Sequence, residues 1–394
     1  MKSIYYYMLA GLTLSTSGCS SWLSEDDAPV MSYDYYETEA GVNAAITAGY
    51  GFLRWGVGGE RFDVLTEHGT DLFTEGEDGS HRESYNKYAT QLNPDDGILY
   101  EMWQNHYKGI SDANIAMQKI LDSRDLLENV KSQSYAEMQF IRAYLYFDLV
   151  QQFGRIPLVS EGSFDIRTSF KRAPVADIYN LIISDLRNAV ENLPEKVSTK
   201  GRATCYSAAH LLSKVYLTRG SAVSDQRGQK ATDMDSTLYY AEKVINSGVF
   251  ALQENFSSLW DISNQGNSEV VFAVQFTTEP MFNGDGNKQH LYWLSWYEDQ
   301  PGMLRDIANG RPFRRHVATK KTMDDLYDRL HDSRFYKSFK WVYYANNVNT
   351  LPVWESLSYD GSVYFTPDPS KGQIAGQLKF QHGDTAIYYT MQET

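Results

Sequence analysis

Cysteine is nearly absent from this 394-residue chain. Cys19 and Cys205 are the only two, too few for a disulfide framework or for a metal site built on cysteine. Positive charge is also short, with 36 Lys and Arg against 50 Asp and Glu and a formal net charge of −14. That balance argues against a phosphate-backbone partner, because nucleic-acid binders need a basic footprint. The local cluster Arg311, Arg314 and Arg315 does not reverse it and reads as pairing with the many acids or facing water. Beyond the N-terminus no continuous apolar run approaches the ~18 residues a membrane-crossing helix requires. HExxH, GxSxG, a phosphate-cradling GxxxxGK and a metal-spaced Cys/His set are missing as well, leaving only His68 and Asp71 as a weak metal suggestion. Aromatic residues are abundant instead, at 14% with 29 tyrosines and 8 tryptophans. Tyrosine suits a surface that must bind something while staying wet. With 42% hydrophobic and 22% charged residues the chain is globular, long enough for one large domain or two ordinary ones.

The densest local signal is Tyr135 to Val159, YAEMQFIRAYLYFDLVQQFGRIPLV. Ala143 to Phe147 offers almost nothing to water, and a helix apolar on nearly every face belongs among other helices. Gly154 sits where a left-handed residue would stop it, and Pro157 favours an extended exit through Ile156, Leu158 and Val159. Ala136, Glu137, Phe140, Arg142, Ala143, Tyr146, Phe147, Leu149, Phe153, Gly154, Pro157 and Leu158 fall in the order of a known block. By them the segment resembles the AEaRFLRAyyYFdLvrlFGdvPLv block of the SusD/RagB family of outer-surface glycan-binding lipoproteins. The resemblance implies a mainly α fold, a tetratricopeptide-like array of helical pairs with long loop and short-strand insertions. Arg142 and Glu137 are then expected to satisfy polar groups inside the array.

The N-terminus reads as an address. Lys2, the apolar run Ile4 to Leu14 and the small residues up to Gly18 form a signal peptide over residues 1–18. Thr16, Ser17, Gly18 and Cys19 resemble a lipobox, with Thr16 departing from its usual leucine, and imply lipidation of Cys19. An uncleaved secretory signal or a chance Gly-Cys is the other reading. The following SSWLSEDDAPV, within residues 19–37, resembles the family's tether. Its acids Glu25, Asp26 and Asp27 read either as a mark for display on the outer face of the outer membrane or as a solvated linker.

Along residues 38–394, expected as a single domain, the helical stripe Val42, Ile46, Tyr50, Leu53 follows a Thr38 cap. A second helix is expected over Asp96 to Asp122, where Asn114 reads as a buried hydrogen-bonding residue. Val175 to Leu193 begins beside Pro174. Thr204 to Arg219 and Asp235 to Ser247 make an antiparallel pair, with Cys205 as a small buried hydrophobe. Val270, Phe272, Val274 and Phe276 then alternate as a short strand or extended segment, Thr277 to Gly310 reads as a long ordered loop, and Lys320 to Leu330 as a further helix. Members of the family usually continue with another helix that packs back on the repeats, whereas this chain stops at Thr394. The expectation is a truncated or divergent member with exposed apolar surface.

Sugar recognition needs flat aromatic faces against the C–H patches of a pyranose, with amides, carboxylates or guanidinium groups reaching its hydroxyls. Two loops supply such residues: Asp71, Phe73, His81, Arg82 and Tyr85 in the first, and Tyr292, Trp293, Trp296 and Tyr297 in the second. They occupy the regions from which the family's ligand contacts come. Trp293 and Trp296, at i and i+3, equally fit one buried helical face. His81 and Arg82 read more readily as solvent-exposed without a ligand, and Asp71 also fits a structural acid. Asp71, Glu75, Glu77 and Asp78 would be the carboxylates of a glycosidase, although a glycine-containing acidic loop is more often solvated. The resemblance implies a non-catalytic lipoprotein without metal or cofactor, which hands glycans to a SusC-like TonB-dependent transporter at the outer membrane. A peptide-binding or purely transporter-docking lid is the alternative.

Overall fold

The computed structural model of the chain describes residues 35, 37–76, 82–89, 92–163, 168–284, 286–354, 368–374 and 376–388. The signal segment, Cys19, nearly all of the tether, Glu77, Asp78 and His81 lie outside these residues.

Helix starts follow the sequence caps. In α1 (Glu39–Phe52) the Thr38 hydroxyl accepts from the Gly41 amide at 3.1 Å. Two short helices follow, α2 (Arg54–Gly58) and α3 (Glu60–Thr66). α4 (Gly97–Asp122) opens on Asp96, which accepts from the Ile98 amide at 2.8 Å. Then come α5 (Glu128–Phe153), α6 (Val175–Asn192), α7 (Cys205–Gly220) and α8 (Asp233–Ile245). Each of α4 to α8 packs on the next, and α1 lies against α4 and α5, so the array grows by neighbour-on-neighbour contact as helical repeats do. α7 begins with a reciprocal cap between Thr204 and Ser207, and Cys205 in its first turn is buried, which pushes its thiol pKa up.

α5 is the centre of the array. Phe140, Ile141, Ala143, Leu145, Tyr146, Phe147 and Leu149 are all buried, each large side chain worth roughly 1.5–3 kcal/mol of burial. Gly154 ends it with the expected positive φ of 65°, although its ψ of −113° leaves the left-handed helical well. The chain then leaves extended, with Ile156 buried and its carbonyl accepting from the Ala173 amide at 2.8 Å. Glu137 accepts from Arg202 Nε at 2.7 Å and from the Tyr50 hydroxyl at 3.1 Å. Arg142 makes a two-pronged contact with Asp185 at 2.8 Å on each side and donates to Asn114 at 2.7 Å. Both polar residues of the sequence block therefore tie helices together.

The rest of the described chain is short elements and loops. β1 (Phe73–Glu75) pairs antiparallel with β2 (His316–Ala318), and β3 (Val342–Tyr344) with β4 (Thr385–Tyr388). Residues 270–276 form neither helix nor strand, and Val271, Phe272 and Val274 pack on the helical core. The helix expected over Lys320 to Leu330 is a correction: only a π-type turn, Lys321–Asp325, forms. Thr322 spends its hydroxyl on the Leu72 carbonyl at 2.7 Å, and Thr319 caps the Thr322 amide at 3.2 Å and reaches the Asp71 carbonyl. Such side-chain bonds compete with a continuing helix. On α8, Met234, Leu238 and Ile245 stand exposed.

Candidate functional site

The chain after α3 turns at Gly69, whose φ of +71° and crowding by Tyr88 leave no room for a Cβ. Asn86 clamps that turn, its Oδ1 accepting from the Gly69 amide at 3.1 Å and the Thr74 hydroxyl at 3.1 Å. β1 follows, and its pairing with β2 sets Glu75 opposite His316. The one-turn helix Gln289–Tyr292 is stitched to both sides. The Lys288 amide donates to the Gly58 carbonyl at 3.1 Å, and the Arg315 amide to the Tyr292 carbonyl at 2.8 Å.

Trp293 follows this turn and stands on a shelf. Its ring meets Phe73 edge-on at 4.9 Å and lies tilted against His316 at 4.8 Å, while 37% of the residue stays exposed. Its Nε1 donates to Gln289 Oε1 at 2.8 Å. An indole braced by two rings and 37% exposed offers apolar ring surface with little side-chain entropy left to lose on binding. The helix stops at Tyr292, so Trp293 and Trp296 do not share a buried helical face; Trp296 is half-buried in the loop beyond.

Beside this turn a cavity of about 730 Å³ is lined by Trp55, Phe276 and Tyr292, by Asn105 and Asn283, and by Arg54, Arg61, Glu101 and Lys288. Gly58 lines it because a Cβ there would lie 2.5 Å from the Phe276 ring. Aromatic faces, amides and charges in one concave wall are the donor set a saccharide needs. Arg61 pairs with Glu101 across the wall. Sequence inspection missed this cavity because its walls come from α1 to α4 and the 276–292 segment, far apart along the chain; Trp55 in the glycine-rich run RWGVGGERF is the local signal that was there to find.

The sequence candidates therefore divide. Phe73 and Trp293 meet, Tyr292 joins them through His316 at 5.8 Å while also lining the cavity, and Asp71 is exposed at the start of β1. Tyr85 is buried with Val64 and Ile98 in a small core, where burial and then Asp96 push its hydroxyl pKa up. Tyr297 is fully buried, stacked on Tyr343 at 4.9 Å and donating to the Gly310 carbonyl at 2.6 Å. Arg82 has its backbone in the π-type turn Arg82–Asn86, and His81 lies outside the described residues. Of the acids considered for hydrolysis, Asp71 is exposed and Glu75 buried.

A helical-repeat array bearing an insertion face with an aromatic shelf and a polar cavity defines the class, and comparison with known proteins agrees. A family model described as "SusD-like_3: Starch-binding associating with outer membrane" matches residues 54–217. SusD-like protein P2 of Formosa agariphila is 28% identical over 338 residues, 79% of this chain and 63% of that protein. A SusD-like protein of Bacteroides ovatus is 28% identical over 199 residues, 49% of this chain and 36% of its own. A laminarin-binding SusD-like protein superposes with a TM-score of 0.52 at 28% identity, covering 60% of this chain and 50% of the other. A SusD superfamily structure from Bacteroides vulgatus reaches 0.60 at 18% identity over 78% of this chain and 65% of that one, which speaks to the fold. The chain is thus similar to SusD-like proteins, and it spans only 63% of the length of the Formosa relative and 36% of that of the Bacteroides ovatus one.

Proposed function

We propose that this chain captures saccharides, without catalysis, on the Trp293–Phe73 shelf and in the adjoining cavity, and passes them to a TonB-dependent outer-membrane transporter. The observation that carries this reading is Trp293, 37% exposed yet fixed by Phe73, His316 and Gln289. A pyranose would lie on its exposed ring surface, with Asp71 at the start of β1 and, in the cavity, Asn105 of α4 and Asn283 to meet hydroxyls. The laminarin binding of the related protein supports a glucan as a first ligand to try. Cys19 would carry the lipid after removal of residues 1–18 and hold the protein at the outer membrane. Affinity electrophoresis in gels containing laminarin, xyloglucan, starch or pectin tests the reading. Retardation in at least one gel, lost in Trp293→Ala, is expected; unchanged migration of the wild type in all four counts against it. Release of reducing ends from any of them would show hydrolysis instead.

A further inference from the structure

One carboxylate secures Trp293 from two directions. Gln289, which accepts from the indole Nε1, donates its own Nε2 to Asp63 Oδ2 at 2.6 Å and to the Gly59 carbonyl at 3.3 Å. Against the indole face lies His316, whose Nε2 is 3.3 Å from the same Asp63 Oδ2 and whose Nδ1 is 2.7 Å from His68 Nε2. Both histidines are buried, at 1% and 4% exposure. Among the described residues, the groups facing His316 are Asp63 from α3, His68 from the turn after it, Glu75 opposite it on β1, and the rings of Tyr292 and Trp293. The neighbouring Arg315 reaches Glu60.

We propose that Asp63, Gln289, His316 and His68 form a proton-sensitive clamp that positions Trp293, so that saccharide capture weakens on acidification; this rests on the reading of Trp293 as the glycan shelf. The 2.7 Å contact of His316 Nδ1 with His68 Nε2 has room for one proton, so one ring donates and the other accepts. A single extra proton leaves that donor and acceptor in place. A second protonates the accepting nitrogen. It removes the acceptor and sets two imidazolium rings in buried contact, so the pair parts and the face of Trp293 loses its brace.

Trp293 emission, taken as wild type minus Trp293→Phe and followed from about pH 8 to about pH 4.5, tests the clamp without any ligand. The emission is expected to change, and retardation in the responsive gel to fall by roughly tenfold in affinity over the same span. His68→Gln keeps a donor toward His316 but takes up no proton, and should flatten both profiles whatever its affinity at neutral pH. A variant that titrates as the wild type does, or a Trp293 emission indifferent to pH, overturns the clamp. If His68→Gln does not fold, the half-buried Gln289→Ala serves: it should weaken capture by roughly tenfold near pH 7.5 with an unchanged circular dichroism spectrum, and unchanged capture overturns the positioning. If the emission titrates and His68→Gln flattens it while no polysaccharide retards the protein at any pH, the clamp stands and the glycan reading falls. Equal retardation at both ends of the range leaves the glycan reading intact and removes the clamp.

Discussion

Replacing Arg142 by methionine is the sharpest test of how the array is held. Arg142 and Asp185 are 4% and 1% exposed, and Arg142 spends three donors on Asp185 and Asn114 and a further bond, at 2.9 Å, on the Ser160 carbonyl. Burial alone would lower the Arg142 pKa, but the hydrogen bonds and charge of Asp185 outweigh it, so the guanidinium stays charged. Methionine fills a similar volume yet strands a buried carboxylate, whose remaining side-chain donor is Gln139 at 3.0 Å. Breaking a buried pair this way costs about 3–5 kcal/mol. At about 2–4 °C per kcal/mol, Tm should fall by about 6–20 °C. The control is Arg142→Met with Asp185→Leu, which removes both charges and should recover most of the loss. Thermal melts by circular dichroism, with urea midpoints as a second readout, decide it. A single variant within about 1 kcal/mol of wild type, or a double variant less stable than the single, would refute the reasoning.

Gly109→Ala should destabilise by about 1 kcal/mol in urea melts: its Cβ would lie 2.6 Å from Leu145 Cδ1 and 2.9 Å from Phe52 Cγ, and overpacking of about 1–3 kcal/mol exceeds the gain in helix propensity of about 1 kcal/mol. Thr204→Ala should cost about 1 kcal/mol by removing the reciprocal cap of α7, whereas Thr204→Ser should recover it. Burial raises the Asp306 pKa, but the Asn309 amide at 2.7 Å and the Asn346 side chain at 2.6 Å outweigh it and leave it below the ordinary carboxylate value. A lowered folded value means the stabilisation is present above the unfolded value of ~3.9 and is lost as pH falls through the folded one. The protection of the Asn309 amide relative to its intrinsic exchange rate should therefore fall only under such acid conditions, and Asp306→Asn should remove that pH dependence.

The helical array was legible because its signals are local. Thr38, Asp96, Pro174 and Thr204 sit beside the helix starts they specify, and the apolar period of α5 needs no knowledge of its partners. The insertion face was only half legible. Trp293 is made a shelf by Phe73 and His316, which reach it only once β1 and β2 pair across the chain. Tyr297 and Tyr85 carry the same composition signal as a ligand platform, yet each became the centre of a small core, because a phenol with a nearby acceptor is as good a filler as a binding surface. Buried histidines 248 residues apart in sequence carried no local signal for their pairing.

The central claim is that Trp293 is the floor of a saccharide site, and the most direct test is a crystal structure with the oligosaccharide of whichever polysaccharide retards the protein. The account predicts a sugar ring lying parallel to the exposed indole face at van der Waals distance, roughly 4 Å, with further units toward the cavity between Trp55 and Tyr292. A sugar bound elsewhere, with Trp293 bare and its open face toward solvent, would contradict it.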